Sequence, residues 1–385
     1  MSTVWQLPAT LCFIWLGTFM IYVWPRPSRS ACLTVVFLAV GLRLAWIRWM
    51  GDLGSYWGEW WISWGAFLGL ASLLVLPVQI ALARGATESE RKLLRQTFFA
   101  GAVFPVCGLL IAYTVPMTTK LRPTTYDAFL LAFDGSLGFQ PSFLLGRILP
   151  FGSSYWGLTT VVYYALPLAV AVLYASHLAA RRSSKRQPVA ILALFLSLMV
   201  AGAVLYAIYP AIGPMLAFPE WYPKHPPLPA QVAIRAMTVP DDPRNCMPSL
   251  HFAGALAVWW NARVWPRWGR ALAAWFLCAT IFATLALGEH YLVDLVVAVP
   301  FTLALQAAWS LGIPFTDSAR QRPLVAGTIL VVAWLVLLRY GSRLFFVSPA
   351  MSWGLILLTL GWCLVLRKQL SDSTSKEALI KSLCG

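Results

Sequence analysis

The chain has 385 residues, of which 59% are hydrophobic and 14% aromatic, while only 11% are charged; soluble domains carry about a quarter charged residues. So few ionisable side chains cannot clothe the surface of a soluble protein of this length, which excludes a soluble enzyme and implies an all-α, polytopic membrane protein. The 29 Lys and Arg against 14 Asp and Glu leave a net charge of +15, whose meaning depends on where the charges fall.

Apolar runs near the ~20 residues that cross a bilayer recur about eleven times. They cover 7–24, 31–47, 60–82, 98–116, 155–178, 189–210, 248–262, 271–287, 290–311, 323–338 and 348–366. The first, Leu7 to Trp24, lacks a basic leader and carries Arg26 and Arg29 on its far side; it reads as a reversed anchor helix rather than a cleaved signal. The seven cysteines have no regular spacing, so neither a disulfide framework nor a CxxC metal knot is indicated.

Counted on alternate sides of these runs, about two thirds of the basic residues collect on one face. They include Arg84, Arg91, Lys92 and Arg95, then Arg181, Arg182, Lys185 and Arg186, then Arg263, Arg267 and Arg270, then Arg320 and Arg322. That face is expected to be cytoplasmic, with the N-terminus outside, the C-terminus inside and the cell (inner) membrane as the location. The surplus charge is then a topology signal with some attraction to anionic membrane lipids; no basic domain stands apart to bind nucleic acid.

Two long connections fall outside. In 117–154, the segment Tyr126 to Leu137 has Phe129, Leu130, Phe133 and Leu137 at helical spacing and reads as an interfacial amphipathic helix. Its Asp127 and Asp134 share one face, expected to be solvated. In 211–247 and at its edge lie nine prolines from Pro210 to Pro243, too many for regular helix, so this stretch is expected to form an ordered cap.

Of four histidines, two stand at outer helix starts. His251 follows Met247-Pro248-Ser249-Leu250, where Pro248 suits the first helical position. His290 opens Glu289-His290-Tyr291-Leu292-Val293-Asp294, and Asp294, four residues on, shares its face. An unpaired Asp in a span costs about 2.5 to 3.5 kcal/mol, so His290 is its expected partner. A carboxylate on one imidazole nitrogen fixes the tautomer and makes the other more basic, as a nucleophile or base requires. The start of the His251 helix favours an anion such as phosphate. A buried pair that only locks two helices, or a zinc site of the two histidines and Asp294, are the alternatives from spacing alone.

Cys246-Met247-Pro248-Ser249-Leu250-His251 resembles the second signature of the type 2 phosphatidic acid phosphatase superfamily, and His290-Tyr291-Leu292-Val293-Asp294 resembles the third. The Pro-Ser-Leu-His form and the His-Tyr dipeptide are more similar to the inositol phosphorylceramide synthase branch than to soluble haloperoxidases or lipid phosphatases. Tyr126 to Gly138 and Tyr209-Pro210-Ala211-Ile212-Gly213-Pro214 also resemble segments of that branch. The resemblance implies a six-helix phosphatase-like core over 98–311, three accessory helices over 1–97, and two further helices with a cytoplasmic tail over 312–385.

It also implies a phosphohistidine mechanism without metal or cofactor. His290 attacks phosphorus, Asp294 orients and charge-stabilises it, and His251 protonates the leaving group. The substrate is a phospholipid or lipid phosphate, and the acceptor a lipid or sugar hydroxyl, or water in a phosphatase. The first signature, a Lys six residues before Arg-Pro, is absent, since Lys120-Leu121-Arg122-Pro123 has the wrong spacing. The Arg expected six residues before His290 is Thr284. Arg244 is the preferred phosphate-binding residue, with Lys120, Arg122, Lys224 and Arg235 behind it, and Ser249 is a phosphate donor or a helix cap. A lipid transporter or flippase, which would need polar residues at the bilayer midplane, and a non-catalytic scaffold are the readings of other classes.

Overall fold

The computed structural model describes residues 6–24, 26–50, 60–83, 85, 87–180, 189–227, 231–239 and 241–383. Arg84, Arg181, Arg182, Lys185, Arg186, Pro229 and Pro240, used above, lie outside the described residues. The fold is all-α. The helices are α1 Gln6–Val23, α2 Arg29–Met50, α3 Trp60–Leu82, α4 Glu88–Leu121, α5 Asp127–Ser136, α6 Pro141–Ile148, α7 Ser154–Tyr164, α8 Leu166–Ala180 and α9 Ile191–Ile208. They continue as α10 Pro214–Ala217, α11 Leu250–Asn261, α12 Arg267–Ala286, α13 Leu292–Ala308, α14 Ser318–Tyr340, α15 Ser342–Phe345 and α16 Pro349–Leu383. One short antiparallel pair, β1 Thr124–Thr125 with β2 Met237–Thr238, sets Thr124 opposite Thr238.

Among the described residues six helices are long and apolar enough to cross a membrane, or eight if each bent pair is one span. The expected count of eleven is therefore not confirmed. Run 155–178 is a bent pair, and run 248–262 becomes a helix of 12 residues, α11. At 1.5 Å per residue that covers about 18 Å of a ~30 Å hydrocarbon core. Run 290–311 becomes α13, with 17 residues. A second bent pair, α5 with α6 at 87°, lies where a surface helix was expected. Large apolar side chains are exposed in stripes, as at Ile329, Val332 and Val336 on α14 and Leu357 and Leu358 on α16. Such surfaces would aggregate in water and match lipid.

The chain forms two compact units. In the first, residues 1–113 with 164–185, α1 packs on α3 and α8, and α2 packs on α3. Tyr22, Val35, Ala39, Ala71, Val75 and Leu76 form its core. At Gly69 a Cβ would stand 2.0 Å from the Trp15 carbonyl oxygen, so only glycine allows α1 and α3 this close approach.

The second unit, residues 114–163 with 186–385, is built around α13, which packs on α9, α11, α14 and α16. Its ends are matched to its dipole. The C-terminal carbonyls of Ala307 and Ala308 accept from Arg320 at 3.0 and 2.6 Å. Asn261 on α11 and Gln306 on α13 exchange hydrogen bonds at 2.8 and 3.1 Å, tying the two helices together near that end.

Helix α5 is packed within the protein rather than amphipathic with one solvated face. It touches α10, α13, α14, α15 and α16, and Asp127 and Asp134 are both fully buried, so the expected solvated face is corrected. The two carboxylates are sequestered because backbone donors await them. Asp127 receives the N–H groups of Ile212 and Gly213 at 3.1 and 3.0 Å. These bonds, the β1–β2 pair and the Tyr126 N–H to Pro210 O bond of 2.8 Å join the two long connections into one ordered assembly. Gly213 is required in it: its φ is +87°, and a Cβ there would lie 2.3 Å from the Glu289 carbonyl oxygen.

Candidate active site

His290 sits in the tight turn between α12 and α13. The turn is shaped by Gly288 at φ +71°, where a Cβ would meet Tyr222 at 2.6 Å. The His290 N–H donates to Thr284 O at 3.2 Å, and its carbonyl accepts from the Ser142 hydroxyl of α6 at 2.7 Å. The backbone on both sides of the ring is thus fixed before the ring makes any contact.

The ring is buried, 2% exposed. Its Nδ1 lies 2.9 Å from the Cys246 carbonyl oxygen and 3.5 Å from Asp294 Oδ2. A carbonyl can only accept, so Nδ1 carries the proton and Nε2 keeps its lone pair. The expected pairing of His290 with Asp294 is not a direct hydrogen bond: the Cys246 carbonyl accepts from Nδ1, and Asp294 Oδ2 stands at ion-pair distance. Burial lowers the pKa of His290 to about 3, against the opposing pull of the Cys246 carbonyl, and the ring is neutral near pH 7.

Asp294 is the third residue of α13 and reaches back to the N-terminus, Oδ2 accepting from the Tyr291 N–H at 2.8 Å. This is the carboxylate half of a capping box. The same Oδ2 accepts from the Cys246 thiol at 2.8 Å. Burial, with Asp294 and Asp127 nearby, pushes that thiol well above its ordinary pKa, so it is a donor. Asp294 Oδ1 is buried with no hydrogen-bond partner. The next donors of α13, the Leu292 and Val293 N–H groups, go to Asp134 at 2.7 and 3.2 Å. Tyr291 extends the network by donating its hydroxyl to Asp127 at 3.1 Å.

His251 is the second residue of α11. Ser249 is the N-cap of that helix, its hydroxyl accepting from the Phe252 N–H at 3.4 Å. Pro248 therefore precedes the cap rather than occupying the first helical position. His251 is partly exposed, and its ring stacks on Tyr163 with centroids 3.7 Å apart. One imidazole is buried and the other partly exposed.

Arg244 is fully buried. Its guanidinium donates to the carbonyls of Arg122 at 3.0 Å, Pro123 at 3.3 Å and Asp242. Its backbone N–H donates to the Thr118 hydroxyl at 2.9 Å. It brackets the end of α4 to the cap segment. Lys120 and Arg122 are exposed, and Arg122 Nε donates to Ala207 O at 2.7 Å. Lys224 and Arg235 are exposed in the cap segment. Thr284, in the place of an expected arginine, turns its hydroxyl to Ile281 O at 2.9 Å.

Among the described residues Cys246, His290 and Asp294 have ligand atoms within 4.8 Å of one another. Sulfur, imidazole and carboxylate are a donor set suited to zinc. Cys246, rather than His251, is thus the third member of such a set, and its sulfur and Oδ2 are already bridged by a proton. Sequence reasoning missed Cys246, Asp127, Asp134, Ser142 and Tyr163. The signal for the aspartates was two carboxylates in an otherwise apolar helix, which burial obliges to find donors.

Residues 128–308 match the model of the PAP2 superfamily. No curated protein and no solved structure matches the chain. The matched segment contains Asp134, Cys246, His251, His290 and Asp294.

Proposed function

We propose, from the premise that residues 128–308 make this protein a membrane enzyme of the phosphatase and phosphotransferase type of the type 2 phosphatidic acid phosphatase superfamily, that it transfers a phospho-headgroup. The donor is a phospholipid whose headgroup resembles inositol phosphate, and the acceptor is a lipid or sugar hydroxyl at the outer membrane face. The observation that carries this reading is the His290 tautomer: Nδ1–H is held by the Cys246 carbonyl at 2.9 Å, leaving Nε2 as the nucleophile.

The Nε2 lone pair attacks phosphorus and the bond from phosphorus to the leaving oxygen breaks. His251 gives that oxygen its proton. The phosphorylated ring is positively charged, and Asp294 Oδ2, 3.5 Å from Nδ1, stabilises it. The acceptor hydroxyl then attacks phosphorus, the P–N bond breaks, and His251 takes the acceptor's proton. Water in the acceptor's place makes the same site a lipid phosphatase. The guanidinium of Arg244 is held on backbone carbonyls, so its service to the phosphate is positive charge at a distance; Lys120 and Arg122 stand beside the same segment. Positioning and charge, the main needs of phosphoryl transfer, are what these residues offer.

The test is label transfer. Purified protein with a phospholipid radiolabelled in its phosphate yields a labelled product and an acid-labile protein adduct. His290→Ala abolishes both, and His251→Ala lowers turnover by about a hundredfold or more, the usual contribution of a general acid. Full activity in both variants overturns the mechanism. Ceramide or diacylglycerol added as acceptor separates transfer from release to water.

A further inference from the structure

We propose that Cys246 is a positioning residue for both members of the His290 and Asp294 pair, its backbone setting the imidazole and its thiol setting the carboxylate. The inference rests on the phosphotransfer reading of this site. The Cys246 carbonyl accepts from His290 Nδ1 at 2.9 Å, and the Cys246 sulfur donates to Asp294 Oδ2 at 2.8 Å. One residue therefore fixes the distance between two groups that do not hydrogen-bond each other directly, at 3.5 Å.

The carboxylate depends on this thiol because its other supports are few. Oδ2 has one other donor, the Tyr291 N–H, and Oδ1 is buried with no hydrogen-bond partner. Asp134 takes the Leu292 and Val293 N–H groups at the same helix start, so neither is available to Asp294. Without the thiol, Asp294 keeps a single hydrogen-bond donor, the Tyr291 N–H. That one bond no longer fixes the distance at which the carboxylate balances the charge that appears on His290 during transfer. A hydrogen bond to an ionised group differs from a packing contact in being lost with the proton donor and restored by another donor. Serine in place of cysteine keeps the donor, and alanine or valine does not.

The experiment uses full-length protein in detergent with the labelled phospholipid. Cys246→Ala lowers kcat by about tenfold to a hundredfold, as expected for a lost bond to a charged group, and leaves KM within about twofold. The rate of adduct formation in a single turnover falls in parallel. Cys246→Ser stays within about threefold of the natural protein, since the hydroxyl replaces the thiol as donor. Cys246→Val, close in volume, reports in place of the alanine variant if the latter elutes as an aggregate. Unchanged kcat in the alanine or valine variant overturns the proposal, and so does a serine variant as slow as either of them. A natural protein that forms no adduct on His290 overturns the phosphotransfer reading itself, an outcome recognised before any Cys246 variant is made.

Discussion

His290 has two nitrogens, and the fold uses one of them to decide what the other does. A proton on Nδ1, held by the Cys246 carbonyl, leaves a neutral ring with a free lone pair, and burial keeps it neutral by lowering its pKa to about 3. The linkage can be measured. An unfolded histidine titrates near 6.5, so between that value and about 3 the unfolded chain binds one proton more than the folded one. Stability rises with pH in this window and is lost as the pH falls through it. When the detergent-solubilised protein is taken from about pH 6.5 to about pH 4, this ring's share of the change in stability is a loss of about 1.4 kcal/mol per pH unit, read as the difference between the natural protein and a His290 variant. His290→Asn removes that share of the slope; an unchanged slope would mean that the ring is accessible and titrates normally.

Helix α13 shows why some of the site is readable from sequence and some is not. His290 and Asp294 lie four residues apart, and local spacing reveals them. The partners that hold them come from far along the chain: Cys246 is 44 residues from His290, and Asp134 is 158 residues from Leu292. No local pattern shows that Asp134 takes the N–H groups of a helix start so distant. Composition argued for solvent, because an isolated carboxylate avoids burial; the unpaired donors at the start of α13 reversed the balance. The all-α fold was legible from the apolar runs, whereas the count of eleven was not, because hydropathy cannot tell a short buried helix such as α11 from a spanning one. Asp134→Ala tests the capping role. It leaves one buried and one part-buried N–H group unpaired, at about 1–3 kcal/mol for the buried one, so a drop of several degrees in the thermal midpoint is expected. Loss of turnover should accompany it, because His290 stands immediately before these residues. A variant as stable and active as the natural protein would show that water replaces the carboxylate.

At the scale of the whole molecule, the choice lies between an enzyme and a conduit for lipid. A transporter needs polar groups near the bilayer midplane, where the substrate is held between two states. Around α13 the buried ionisable residues divide between its ends: Asp127, Asp134, Arg244, His290 and Asp294 lie in one network or beside it, and Arg320 binds the far carbonyls. The helix between them is apolar apart from Thr302 and Gln306, and each of those bonds within the protein, to Ala298 O and to Asn261. A phosphate moving along α13 would leave its counter-charges at one end of the helix and meet none on it until the other. Proteoliposomes carrying a fluorescent phospholipid separate the two functions. The expected result is headgroup transfer or release by the natural protein, none by His290→Ala, and leaflet exchange in both no faster than in empty liposomes. Rapid exchange that persists in His290→Ala would make lipid movement the primary activity and the histidine pair secondary to it.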